Sequence, residues 1–167
     1  RVDLKQFMGD WYVVGFIPVD NFLLSEADAY NAVESYQLDE DGSKVLMAVS
    51  VDSASALWLP LKTTLSEKVE LSWRWKVTRR LSNRREREKS GDDYAARVFV
   101  GFDTDPFDKD SRSLCYVWAS DEPVGAVYPS PYSPNVITIV LRNSEDGTGE
   151  WTSETRNIVG DFQRAFG

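Results

Sequence analysis

The sequence predicts an all-β fold, a single antiparallel barrel or jelly-roll-like sandwich of about nine to ten strands with a short C-terminal helix. Short segments of alternating apolar and polar residues recur at roughly ten-residue spacing. Segments with the 3.6-residue period of a helix are almost absent. Aromatic residues make up 13% of the 167 residues, which is enough bulk for a core. The length fits one domain over residues 1–167, and no linker rich in Gly or Ser divides it.

The first strands are predicted from short alternating segments and the turns between them. Residues 11–17 form the first strand, and a loop leads to the second strand at 30–38. The turn Asp39–Gly42 closes a hairpin with a third strand over 43–51. A short apolar strand over 54–61 follows and contains Pro60.

The clearest alternation lies over residues 69–77. Its apolar positions are Leu71, Trp73, Trp75 and Val77, and they share one face of the strand. The next strand, 94–102, alternates in the same way and carries Arg97 on its other face. The remaining predicted strands are 113–119, 124–128, 136–142 and 150–156.

The chain ends in a predicted helix over residues 157–166. Asn157 is a suitable N-cap, and Gly167 stands where a C-cap would be. The apolar stripe that would bury this helix consists of Ile158, Phe162, Ala165 and Phe166.

Composition excludes several classes of function. The formal net charge of −8 argues against nucleic acid as a partner. The chain has no His and one Cys, which excludes Ser-His and Cys-His catalytic sets, an internal disulfide and a Cys-based zinc site. No run of 18 apolar residues predicts a transmembrane segment. We therefore expect a protein that is not an enzyme and needs no cofactor.

Four aromatic residues and one arginine are the candidate binding residues in the second half of the chain. Trp73 and Trp75 share a strand face, and Tyr116 and Trp118 repeat that spacing. Rings in this arrangement stack on sugars when exposed, or fill a core when buried. Arg97 lies on an otherwise apolar strand and needs a partner. Asp92 or Asp93 could serve structurally or help Arg97 to hold an anionic ligand.

Two charged segments have a functional and a plain interpretation. The loop Asp103–Asp110 carries four Asp residues and could hold calcium, but it lacks the Gly and bidentate Glu of a calcium-loop motif. The basic run of residues 79–89 could contact anionic lipid headgroups. A solvated loop is the plain interpretation of both segments.

The first part of the chain resembles a known family. The segment VDLKQFMGDWYVVGFI (residues 2–17), Ala29–Tyr36 and the turn Asp39–Gly42 resemble bacterial lipocalins of the outer-membrane-associated branch. This resemblance implies a carrier of a small lipophilic ligand from the bacterial periplasm or outer membrane, with no signal peptide in the chain itself. The implied apolar lining consists of Trp11, Tyr30, Tyr36, Trp73 and Trp75.

The rest of the chain resembles a second family. From about residue 36 to 167, the ordered motifs LSWRWKV, SGDDYAARV, YVWA and ETRN resemble an uncharacterised family of bacterial secreted proteins of unknown function. That resemblance implies a jelly-roll sandwich like those of carbohydrate-binding domains, without its usual closing strands. We therefore interpret the chain as a hybrid of the two families, either a natural fusion or a constructed chimera. An open sheet edge would also allow a dimer by edge-strand pairing.

Three hypotheses for function follow. The first is a non-catalytic binding protein for a small lipophilic ligand. The second is a carbohydrate-binding sandwich that stacks sugars on Tyr116 and Trp118. The third is a folded hybrid without a ligand.

Overall fold

The computed structural model describes nine strands and one α-helix. It describes residues 9–12, 33–38, 42, 44–49, 66, 68–82, 85–102 and 110–167, with side chains from residue 42 onwards. Contacts divide the chain into one unit over residues 1–61 and another over 62–167. The single domain predicted over residues 1–167 therefore stays a prediction.

The first unit holds a three-stranded antiparallel sheet. Its strands are β1 (Gly9–Tyr12), β2 (Val33–Leu38) and β3 (Lys44–Val49), in the order β1-β2-β3. Leu38 of β2 lies opposite Lys44 of β3, which confirms the predicted hairpin. Gly42 in its turn has φ +77, a conformation that favours glycine. The predicted strand over residues 54–61 lies outside the described residues.

The second unit holds two sheets and the helix. In one sheet, β4 (Glu70–Trp75) pairs antiparallel with β9 (Thr152–Asn157). The other sheet has four strands in the order β5-β6-β8-β7. These strands are β5 (Ala96–Gly101), β6 (Ser113–Trp118), β7 (Val127–Pro129) and β8 (Val136–Arg142).

The prediction of purely antiparallel strands is wrong for one pair, because β6 and β8 run parallel. The physical reason is the short strand between them in sequence. After β6 the chain reverses into β7, reverses again, and inserts β8 between the two earlier strands. The pair of β7 with β8 is antiparallel, as is the pair of β5 with β6.

The two sheets of the second unit pack their apolar faces together around two clusters of buried residues. Leu114 and Tyr116 of β6 and Ile139 of β8 are buried, and Leu71 and Trp73 of β4 pack against them. The predicted face of β4 is confirmed, since exposed residues alternate with the half-buried Leu71 and Trp73 and the buried Trp75, as period two requires. The all-β fold is therefore established for the described residues.

The predicted C-terminal helix is confirmed as α1 (Ile158–Phe166). Asn157 caps it, because its side-chain Oδ1 accepts a hydrogen bond from the Gly160 backbone N–H at 2.8 Å. Phe162 lies 4.5 Å from Phe102 between ring centroids, so the apolar stripe contacts the core beside β5. No helix among the described residues is long and apolar enough to cross a membrane.

The basic segment over residues 79–89 is partly built into the fold. Glu86 is buried, and its carboxylate accepts the backbone N–H groups of Ser120, Asp121 and Glu122 at 2.6 to 3.1 Å. Gly91 is buried against Arg85, whose carbonyl oxygen lies 2.3 Å from where a Cβ on Gly91 would be. The plain interpretation of a solvated loop is therefore wrong at Glu86.

Candidate functional site

Four of the predicted binding residues form one aromatic cluster inside the second unit. The ring of Trp73 lies 5.5 Å from Trp75 and 5.4 Å from Tyr116, and Trp75 lies 5.6 Å from Trp118. Tyr116 is 0% exposed and Trp118 is 2% exposed. The cluster joins β4 to β6 and fills the space between the two sheets, which is the core alternative of the sequence analysis.

One atom of this cluster has no hydrogen-bond partner. The indole N–H of Trp73 is buried and finds no acceptor in the part of the chain that the structure describes. The indole N–H of Trp75 donates to Glu154 at 3.2 Å, and that of Trp118 donates to the Asn143 carbonyl at 3.1 Å. Of these three tryptophans, Trp73 is therefore the one whose indole N–H donates no hydrogen bond to the described residues.

The three predicted lining residues of the first unit are described only in part. Trp11 lies in β1 opposite Glu34 of β2, and Tyr36 lies in β2 opposite Leu46 of β3. Their side chains lie outside the description, as does the whole of Tyr30. Their predicted role in ligand binding therefore stays a prediction.

Arg97 has the partner that the sequence analysis expected. Its guanidinium donates to the Asp92 carboxylate at 3.2 Å and also to the Asp92 backbone carbonyl. It lies 4.6 Å from the ring centroid of Tyr94, whose hydroxyl is 3.0 Å from that of Tyr128. These bonds give Arg97 a structural contact, because they join β5 to the segment that precedes it.

A cleft in the second unit gathers apolar and charged side chains beside this core. We call it the edge cleft; it has a volume of about 290 Å³ and is lined by residues of β7, β8, β9 and α1 and of the turn before β7. Its apolar wall consists of Val124, Val127, Ile139, Leu141 and Ala165. Its charged floor consists of Glu154, Arg156, Asp161 and Arg164. The volume is close to the lower end of the range for small-molecule sites.

Asp161 is the centre of the charged floor. Its side chain is 2% exposed and accepts two hydrogen bonds from Arg156 at 2.7 and 2.8 Å. Arg164 donates to it at 2.9 Å, and the hydroxyl of Tyr116 does so at 2.9 Å. The hydrogen bonds from Arg156 to Asp161 raise the pKa of Arg156, and burial raises the pKa of Tyr116. The Asp161 carboxylate therefore lies between two guanidinium groups that both donate hydrogen bonds to it.

A second ion pair closes the other end of the floor. Arg142 donates to Glu154 at 2.7 Å and to Asp146 at 3.1 Å. Glu154 accepts the Trp75 indole N–H at the same oxygen. Through Glu154 and Asp161, two aromatic residues of the core, Trp75 and Tyr116, are hydrogen-bonded to the cleft without lining it.

The four residues of the charged floor are not among the binding residues predicted from the sequence. A signal was present, because Glu154 and Arg156 share the inward face of a strand. Asp161 likewise falls beside Ile158, Phe162 and Ala165 of the helix stripe. Arg97 is predicted to need a partner because it is a charged residue on an apolar strand. The same reasoning applies to Asp161 on the apolar stripe of the helix.

The possible calcium loop lies mostly outside the described residues. Residues 103–109 are not described, so the structure leaves that site untested. Elsewhere, no three His, Cys, Asp or Glu side chains come together as a metal site in the described ranges. The lone Cys115 is buried, and burial raises the pKa of its thiol to about 12.

Comparison with known proteins identifies a family without a known activity. No curated protein and no solved structure matches the chain. Residues 25–167 match the family described as "Protein of unknown function (DUF3047)". The match begins before residue 36, so it includes the segment Ala29–Tyr36 that we compared with lipocalins, and no lipocalin match accompanies it. Since the match covers most of the chain, the protein belongs to the DUF3047 family.

Proposed function

We propose that this protein is a non-catalytic binding domain that takes a small lipophilic ligand in the edge cleft. The observation that carries the proposal is the apolar wall of the cleft. Val124 and Val127 at its mouth are each 57% exposed, and they adjoin Ile139 and Leu141. A ligand that covers contiguous apolar side chains removes them from water, which lowers the free energy and favours binding.

The chemistry of the charged floor supports binding rather than catalysis. The Asp161 carboxylate accepts four hydrogen bonds from protein donors, three of them from the guanidinium groups of Arg156 and Arg164. A general acid or base must exchange a proton with a substrate, which a carboxylate held in this way does poorly. These groups are therefore suited to fixing the cleft and orienting a ligand.

The carbohydrate alternative has weaker support. Sugar stacking needs a ring face that is open to solvent. Tyr116 and Trp118, the rings proposed for it, are both buried against the β4–β9 sheet. We therefore favour the lipophilic ligand.

A titration with a neutral lipophile tests the proposal. Addition of 1-octanol should shift the backbone amide NMR signals of Gly125 and Ala165, two residues that line the cleft. Val127→Ser removes apolar surface worth about 1 kcal/mol, so it should weaken binding by about fivefold. Tyr132→Ser alters another exposed apolar side chain that does not line the cleft, and it should leave binding unchanged. Equal affinity of both variants and the parent protein would contradict the proposal.

The finer fold and origin remain part of this proposal. We propose a jelly-roll-like sandwich, which is supported by the packing of β4 on β6 and by open sheets among the described strands. A lipocalin-like beginning, a hybrid origin and a location in the bacterial periplasm or at the outer membrane rest on the resemblance of residues 2–17 and 29–42 alone. Osmotic shock releases periplasmic proteins, so absence of the protein from the released fraction would contradict a periplasmic location.

We also propose a dimer through β3, which lies at one edge of the first sheet among the strands that the structure describes. Its side chains Leu46, Met47 and Val49 are all more than one third exposed, and they lie on both faces of the strand. An apolar edge of this kind favours pairing with a second strand. Light scattering at high protein concentration should show the dimer, and Met47→Lys should convert it to monomer. A monomeric parent protein at every concentration would contradict it.

A further inference from the structure

The charges of the edge cleft differ in their exposure to solvent. The side chain of Asp161 is 2% exposed and that of Glu154 is 11% exposed. Arg156 is 28% exposed, and Arg164 is 76% exposed. The negative charges are therefore directed into the protein, while the charge that a ligand in the cleft meets first is positive.

The bonding of the two arginines leaves donors for a ligand. Arg164 uses one guanidinium nitrogen, Nη2, in its hydrogen bond to Asp161. Arg156 uses Nε and Nη2 in its bonds to the same carboxylate. A guanidinium has five N–H donors, so N–H groups remain on both side chains after these bonds. Since Asp161 orients both groups, these donors are held in place before a ligand arrives.

The apolar wall limits the rest of the ligand. Val124, Val127 and Ile139 offer no polar side-chain atoms. At roughly 30 Å³ for each heavy atom, a cleft of about 290 Å³ holds about ten heavy atoms. A short alkyl chain with one polar end has that size.

We infer that the ligand of the edge cleft is a monoanionic amphiphile, an apolar body with one carboxylate or similar anionic group directed at Arg164 and Arg156. This inference rests on the proposed function, since it assigns the head group of a ligand whose body the apolar wall binds. Arg164 belongs to α1, so the anionic end of the ligand would lie on the α1 side of the floor.

Three ligands with a chain of eight carbons, counting the carboxylate carbon of octanoate, test the inference. Octanoate, 1-octanol and octyltrimethylammonium are titrated separately, and their dissociation constants are taken from the amide signals of Gly125 and Ala165. We expect octanoate to bind roughly threefold to fivefold more tightly than octanol, a modest factor because Arg164 is largely exposed. The cationic ligand should bind most weakly.

Two arginine variants assign the selectivity to the cleft. Arg164→Gln should reduce the preference for octanoate over octanol to less than about twofold. Arg79→Gln is the matched control, because Arg79 is an exposed arginine that does not line the cleft. It should keep the full preference.

The outcomes separate this inference from the proposed function. Equal binding of octanoate and octanol, tighter binding of the cation, or an unchanged preference in Arg164→Gln would overturn the inference and leave a lipophilic cleft. Binding of none of the three ligands would overturn the proposed function, and the inference with it.

Discussion

Asp161→Asn is the substitution that tests the charged floor most directly. Asparagine keeps the shape of the side chain and one oxygen acceptor, but it removes the negative charge between Arg156 and Arg164. The two hydrogen bonds from Arg156 at 2.7 and 2.8 Å then lose the negative charge of their acceptor, and one of them loses its acceptor atom. The effect should therefore be concentrated at the Arg156 pair.

The size of the stability loss depends on how far Asp161 and its two arginine partners are buried. Removal of one partner of a buried ion pair costs about 3–5 kcal/mol. Arg156 is partly exposed and can regain water, and the contact of the exposed Arg164 contributes about 1 kcal/mol or less. We therefore expect Asp161→Asn to lower the free energy of unfolding by about 2–3 kcal/mol.

Urea unfolding followed by tryptophan fluorescence measures this loss, because Trp73, Trp75 and Trp118 lie in the core of the same unit. The urea concentration at the midpoint of unfolding should fall, while the dependence of the free energy of unfolding on urea concentration stays unchanged. Arg164→Gln should lower stability by about 0.5 kcal/mol or less and serves as the exposed control. A change below about 0.5 kcal/mol for Asp161→Asn would show that Asp161 is not paired as described.

Three further predictions concern other buried groups. Burial raises the pKa of the Cys115 thiol to about 12, so we expect no reaction with a thiol reagent at pH 8 until urea unfolds the protein; rapid labelling of the native protein would contradict this. Burial also raises the pKa of Tyr128 from 10.0 to about 12. The native state then keeps a proton that the unfolded chain loses, so stability is complete below pH 10 and falls between pH 10 and 12; a constant urea midpoint across that range would refute it. Gly91→Ala places a Cβ 2.3 Å from the Arg85 carbonyl oxygen and should cost about 1–3 kcal/mol by urea unfolding. Gly147→Ala meets open space, so equal losses for both variants would count against the close packing of Gly91.

Local features of the fold could be predicted from the sequence. The alternation around Trp73 and Trp75 gave the inward face of β4, and Asn157 gave the start of α1. Arg97 was expected to need an acid nearby, and Asp92 is that acid. Each of these follows from the periodicity of one element or from residues within a few positions of each other.

Features that depend on distant pairing could not be predicted. Period two identifies a strand face, but it does not say whether another sheet covers that face, so Tyr116 and Trp118 fitted both an exposed platform and a core. The contact of Asp161 with Tyr116 joins residues 45 positions apart. Glu86 was interpreted as part of a charged loop because its partners, the backbone N–H groups of residues 120–122, carry no side-chain signal.

The position of β8 between β6 and β7 has a consequence for how the second unit folds. Ser113 of β6 pairs with Val136 of β8, so the strands join only after a loop of more than twenty residues has closed. The sheet acquires β8, one of its two inner strands, last in order of synthesis. The turn over residues 130–135 pairs β8 with β7, but it does not bring β8 to β6. We therefore expect slow assembly of this sheet, and a half-made intermediate in which β6 exposes Tyr116 and Val117 until β8 arrives.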